Sequence, residues 1–68
     1  MTKVDAVRKV LEDNGGSADW STIYAAFGRY YKQPKSKFWQ EGIRGVVYRE
    51  VHAGETFKVK NGIVSLKN

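Results

Sequence analysis

The dipeptide Asn61-Gly62 constrains this chain more than any other feature. A two-residue type I′ turn needs positive φ at both central positions. Asn-Gly between alternating residues therefore predicts a tight β-hairpin. The turn fixes the register: Lys60 faces Ile63, Val59 faces Val64, Lys58 faces Ser65, Phe57 faces Leu66 and Thr56 faces Lys67. Successive side chains point to opposite sides of a strand. One side of residues 56–67 is then apolar, with Phe57, Val59, Val64 and Leu66. The other carries Thr56, Lys58, Lys60, Ile63, Ser65 and Lys67, and is basic.

Upstream of the hairpin the apolar period changes from two to that of a helix. Helix one is predicted from about Lys3 to Asn14, with Val4, Val7, Val10 and Leu11 on one face and Asp5, Arg8, Lys9 and Glu12 on the other. Thr2 and Asp5 have capping-box spacing, with Asp in place of the usual Glu or Gln. Asn14-Gly15-Gly16 ends the helix, because glycine tolerates the left-handed conformation. Ser17-Ala18-Asp19 is a connector with room for a very short strand that pairs with the hairpin; Asp19 or Ser17 can cap helix two. Helix two is predicted from about Trp20 to Tyr31, with Trp20, Ile23, Tyr24, Phe27 and Tyr31 as a core stripe.

Residues 32–37 form a basic loop in which Pro34 disfavours helix at Gln33. Helix three is predicted from Lys37 to about Val51, capped by Ser36. Its buried stripe is Trp39, Ile43, Val46, Val47 and the stem of Glu50; the opposite stripe is Lys37, Gln40, Glu41, Arg44 and Tyr48. Gly42 and Gly45 inside it cost about 1 kcal/mol each relative to alanine, which implies close approach of a phosphate backbone or tight packing on a neighbouring helix. The order helix, short strand, helix, helix, hairpin is that of an α+β winged helix-turn-helix, a single domain over residues 1–68. An all-helical bundle would have to turn the alternating Asn-Gly segment into helix.

Charge respects the same division. The chain carries net +5: residues 1–28 hold three basic and four acidic side chains, and residues 29–68 hold nine basic and three acidic, so the halves are −1 and +6. Such a distribution suits a second half that meets a polyanion. The 68 residues include no cysteine and one histidine, so neither a disulfide nor a zinc site is expected, and no metal or other cofactor is implied. No glycine-rich phosphate loop or paired catalytic constellation is present, and an enzyme is not expected. The sequence shows no signal peptide and no apolar run of membrane-spanning length, which points to a cytoplasmic protein.

In a helix-turn-helix, helix three enters the major groove and reads base edges, most often through Arg, Lys, Asn or Gln. Gln40 and Arg44 are therefore candidates for base contact, with Tyr48 beside them. Lys35, Ser36 and Lys37 are candidates for phosphate near the helix start, and Lys58, Lys60 and Lys67 for flanking phosphates or the minor groove. The expected partner is double-stranded DNA.

Ile23-Tyr24-Ala25-Ala26-Phe27, then Trp39, Ile43-Arg44, Thr56-Phe57-Lys58-Val59 and Gly62-Ile63-Val64-Ser65-Leu66 carry a family likeness over nearly the whole chain. The sequence resembles the bacterial winged-helix domain that accompanies restriction endonucleases and related defence proteins, the HARE-type helix-turn-helix group. Some members of that group read adenine methylated on its exocyclic amine. The resemblance implies Trp39 and Arg44 as pocket residues for the methylated base, and a bacterial, nucleoid-associated setting. With no nuclease residues here, any cleavage would belong to other domains or chains of a larger protein.

A protein-interaction module using helix three and the wing is the alternative, with Phe38, Tyr30, Tyr48 and Ile63 as an exposed apolar patch. A contiguous aromatic patch where helix three should meet DNA would favour that alternative. Recognition of RNA relies on bases stacked on exposed rings, and the helical stripes predict that most rings here are buried.

Overall fold

A computed structural model describes residues 1–32 and 37–67. The elements run α1 (Lys3–Asp13), β1 (Ser17–Asp19), α2 (Trp20–Phe27), α3 (Trp39–Ala53), β2 (Phe57–Lys60) and β3 (Ile63–Leu66). The strands make one antiparallel sheet in the order β1-β3-β2. Three helices and a C-terminal hairpin closed by a short strand constitute the winged-helix arrangement.

The hairpin forms in the expected register, from Phe57 opposite Leu66 to Lys60 opposite Ile63. Asn61 and Gly62 take φ of 53° and 77°, as a type I′ turn demands. Lys67 N–H donates to the Thr56 carbonyl at 2.9 Å and extends the pairing to the base of the wing. Strand β1 pairs with β3 through Ala18 opposite Val64, and the Leu66 amide reaches the Gly16 carbonyl at 2.9 Å. The sheet thus binds the helical half of the chain to the hairpin.

Local chemistry sets both ends of α1. Asp5 N–H donates to the Thr2 hydroxyl at 3.1 Å, and Thr2 N–H to the Asp5 carboxylate at 3.3 Å, which completes the capping box. At the other end, Gly16 N–H bonds Leu11 O at 2.7 Å and Gly15 N–H bonds Glu12 O at 3.3 Å, the paired bonds of a Schellman motif with Gly15 at φ 77°. Asp19 caps α2 by accepting from Thr22 N–H at 2.9 Å. Hydrogen bonds to Thr22 hold the Asp19 carboxyl below the ordinary aspartate range, and bonds to Thr2 do the same for Asp5. Both ionise more readily folded than unfolded. Their stabilisation is complete above the ordinary aspartate value and is lost as pH falls through the lowered one.

Two helix boundaries depart from expectation. Helix α2 stops at Phe27 rather than Tyr31. Gly28 weakens the helix, and the chain tightens into i→i−3 turns, with Arg29 N–H on Ala26 O at 3.0 Å and Tyr30 N–H on Phe27 O at 3.1 Å. Tyr31 still packs on Phe27, ring centroids 5.5 Å apart. Helix α3 runs Trp39–Ala53 rather than 37–51. Lys37 and Phe38 form a turn, and Phe38 holds the cap position with no side-chain cap bond. The helix starts where Trp39 meets the Tyr24 ring and continues until Gly54 adopts φ 73°. The expected Ser36 cap, with Gln33, Pro34 and Lys35, lies outside the described residues.

The core consists of Ala6, Val7, Val10 and Leu11 of α1, Ala18, Ile23 and Phe27, Ile43 and Val47 of α3, and Phe57 and Val64 of the hairpin. Both the α2 and the α3 stripes are shallower than periodicity suggests. Trp20, Tyr24 and Tyr31, like Trp39, Val46 and Glu50, are only partly buried. The glycines of α3 are not in a tight helix packing either. A Cβ at Gly45 would meet nothing within 4 Å, and one at Gly42 would approach only Lys3 Nζ at 4.0 Å.

These positions make a paired prediction for urea unfolding. Gly62→Ala, which forces alanine to φ 77° in open space, destabilises by about 1–2 kcal/mol. Gly45→Ala, in an exposed helix interior, stabilises by about 1 kcal/mol.

Candidate nucleic-acid interface

The alternation of β2 and β3 leaves Lys58 and Lys60 exposed on the sheet's outer face. They cross to Ser65 and Ile63, and onward to Ser17 and Asp19. Among the described residues neither lysine pairs with a carboxylate. Asp19 shares this face, but its carboxylate is engaged by the α2 N-terminus.

Lys67 plays a different part from that expected of it. Its Nζ donates to the Gly54 carbonyl at 2.7 Å, closing over the C-terminal end of α3, where carbonyls lack helical partners. Beside it, the Thr56 hydroxyl donates to Glu50 Oε1 at 2.8 Å. Together these bonds clamp the base of the wing to α3. Lys67 is a structural cation first.

The outer surface of α3 is rotated from the expected stripe. Glu41, Gly45, Tyr48, Arg49, His52 and Ala53 are its exposed positions, with Gln40 also open near the start. Lys37 is exposed but precedes the helix, its Nζ 5.9 Å from the Phe38 ring centroid. Phasing the helix from Lys37 leaves Arg49 out of the stripe. Its spacing of four and eight residues from Gly45 and Glu41 was the available signal. Arg44 lies on the α2 side of this surface, where its Nη1 donates to Tyr24 Oη at 3.2 Å and its Nη2 sits 3.7 Å from Glu41. Its side chain keeps 44% of its exposure.

Arg44 belongs to a strip of rings between α2 and α3. Tyr48 meets Trp20 at 5.9 Å, Trp20 stacks on Tyr24 at 6.0 Å, and Tyr24 and Trp39 make a T-shaped pair at 5.7 Å between centroids. Helical spacing builds it: Trp20 and Tyr24 are four residues apart on α2, as are Arg44 and Tyr48 on α3. Of the nine aromatic residues in the chain, only Phe27 and Phe57 are buried. The expectation that most rings are internal is therefore wrong: aliphatic side chains fill most of the centre. Of the residues expected to form an apolar patch, Phe38, Tyr48 and Ile63 are exposed and Tyr30 is half-buried. The Tyr30 hydroxyl donates to the carboxylate of Asp13, the last residue of α1, which raises the tyrosine's pKa.

The structure therefore places Gln40, Lys37, Lys58 and Lys60 in the open and holds Arg44 among aromatic rings. Candidates Lys35 and Ser36 lie outside the described residues. Among the described residues, no helix is long and apolar enough to cross a membrane. Compared with protein-family models, curated proteins and solved structures, the chain matches none.

The clamp separates Lys67 from the open lysines of the wing. In Lys67→Met, amide exchange at the wing base quickens, whereas in Lys58→Met it stays near that of the unaltered chain. Equal exchange in the two variants would contradict the clamp.

Proposed function

We propose that this domain binds duplex DNA, with α3 toward the major groove and the 56–67 hairpin on the flanking backbone. One observation carries the reading most: Lys58 and Lys60 stand open on the wing, without carboxylate partners among the described residues, in the half of the chain that holds net +6. Lys37 adds a cation ahead of α3, and Arg49 a further one on its outer surface. Gln40 and Arg44 are the candidates for base edges, with Tyr48 next to them. The domain has no catalytic role in this reading, and its setting is cytoplasmic, on the nucleoid in a bacterium. The resemblance to the HARE-type group adds a refinement. Trp39 and Arg44 would read N6-methylated adenine, the ring supplying apolar contact to the methyl group.

The ring strip on α2 and α3 favours a second reading, a protein-interaction surface, since Trp, Tyr and Arg dominate protein hot spots. Glu41 beside Arg44 also lowers the positive charge of that face.

Duplex binding with charge-reversal variants decides between them. Lys58→Glu with Lys60→Glu weakens binding to every sequence, whereas Arg44→Ala weakens one sequence preferentially. A duplex carrying methylated adenine binds more tightly than its unmethylated twin if the refinement holds. Unchanged low-salt affinity in both variants would overturn the docking arrangement.

A further inference from the structure

We infer that the strip formed by Tyr48, Trp20, Tyr24 and Trp39, with Arg44 among them, is a stacking platform for unpaired nucleobases. Four rings in an unbroken series of contacts, 5.7–6.0 Å between centroids, lie outside the fully buried core. Tyr48, the most open at 42% exposure, ends the series. Stacking is an interaction of ring faces with base faces, and it is indifferent to base identity. In an intact duplex those base faces are covered by neighbouring pairs. A single strand, a frayed end or an overhang exposes them.

Charge and the make-up of the strip identify the occupant. Its named members are rings and one guanidinium, and both kinds of group stack on bases. Arg44 is held in place by Tyr24 Oη at 3.2 Å, so a cation stands within the platform before any ligand arrives. Glu41 lies 3.7 Å from it, and residues 29–68, with Glu41 counted, still carry net +6. A polyanion carrying flat aromatic bases matches both properties. The inference rests on the nucleic-acid reading above for its charge argument, but it uses ring faces rather than the wing lysines.

The chain supplies its own probe, because its two tryptophans, Trp20 and Trp39, both lie in the strip. The full chain is titrated with an oligothymidylate, an oligouridylate, an abasic strand with the same number of phosphates, and a blunt duplex. Tryptophan fluorescence and anisotropy are read together. The expected result is quenching by the base-bearing strands and affinity roughly tenfold above that for the abasic strand. The ratio between the thymidylate and uridylate arms tells DNA from RNA as the source of the bases. Trp20→Leu removes most of that margin without changing blunt-duplex affinity, and Trp20→Phe, which keeps a ring, retains it.

Abasic and base-bearing strands that bind alike without quenching would overturn the inference, and so would equal weakening of all ligands in Trp20→Leu. The absence of quenching by any oligonucleotide would leave the strip to a protein partner. Blunt-duplex binding with no gain from bases sinks the platform and spares the duplex proposal. Strand binding with quenching, but no duplex binding, does the reverse.

Discussion

Pairing of β1 with β3 is the contact on which the rest of this small fold depends. Two-stranded hairpins are marginal in water, and a third strand or a helix layer is needed to hold them. Ser17–Asp19 supplies that strand directly between α1 and α2, so one short ladder joins the helices to the wing. Val64 lies between Ala18 on one side and Val59 on the other, which fixes the apolar side inward. With this side committed, the period-two alternation leaves Lys58 and Lys60 no place but the solvent side. The wing's chemistry is thus a consequence of its packing.

The wing is then held against α3 by polar contacts as well as by the core. Phe57 enters the core at the hairpin base. Thr56 bonds Glu50, and Lys67 closes over Gly54, where the left-handed residue has ended the helix. This region uses one lysine for structure and leaves two exposed. Across the molecule, the same economy of core volume leaves the large rings outside. Aliphatic residues of α1 and α3 occupy most of the centre, and the tryptophans and tyrosines cover it as an outer layer. That layer gives the α2–α3 face its aromatic character.

Much of this was legible in the sequence because it is encoded locally. The Asn61-Gly62 turn, its register, the Thr2–Asp5 capping box and the Gly15-Gly16 stop all depend on neighbouring residues. Features that depend on tertiary contact are less legible. Periodicity shows which side of α2 faces inward, but not how deep Trp20 and Tyr24 lie once smaller side chains have filled the centre. The start of α3 waits for Trp39 to meet Tyr24, and its end for Gly54, so a phase set from Lys37 misses Arg49. Lys67 could be placed on the basic side of the wing, yet its folding back onto α3 depends on how the two elements dock.

Contact of the wing and α3 with a nucleic-acid backbone is the central claim. The most direct test is the affinity for a duplex measured across a series of salt concentrations. Neutralising two or three phosphates by Lys58, Lys60 and one cation near α3 predicts a log–log slope of about −2 to −3. Affinity that does not respond to salt, or no detectable binding at low ionic strength, would contradict it.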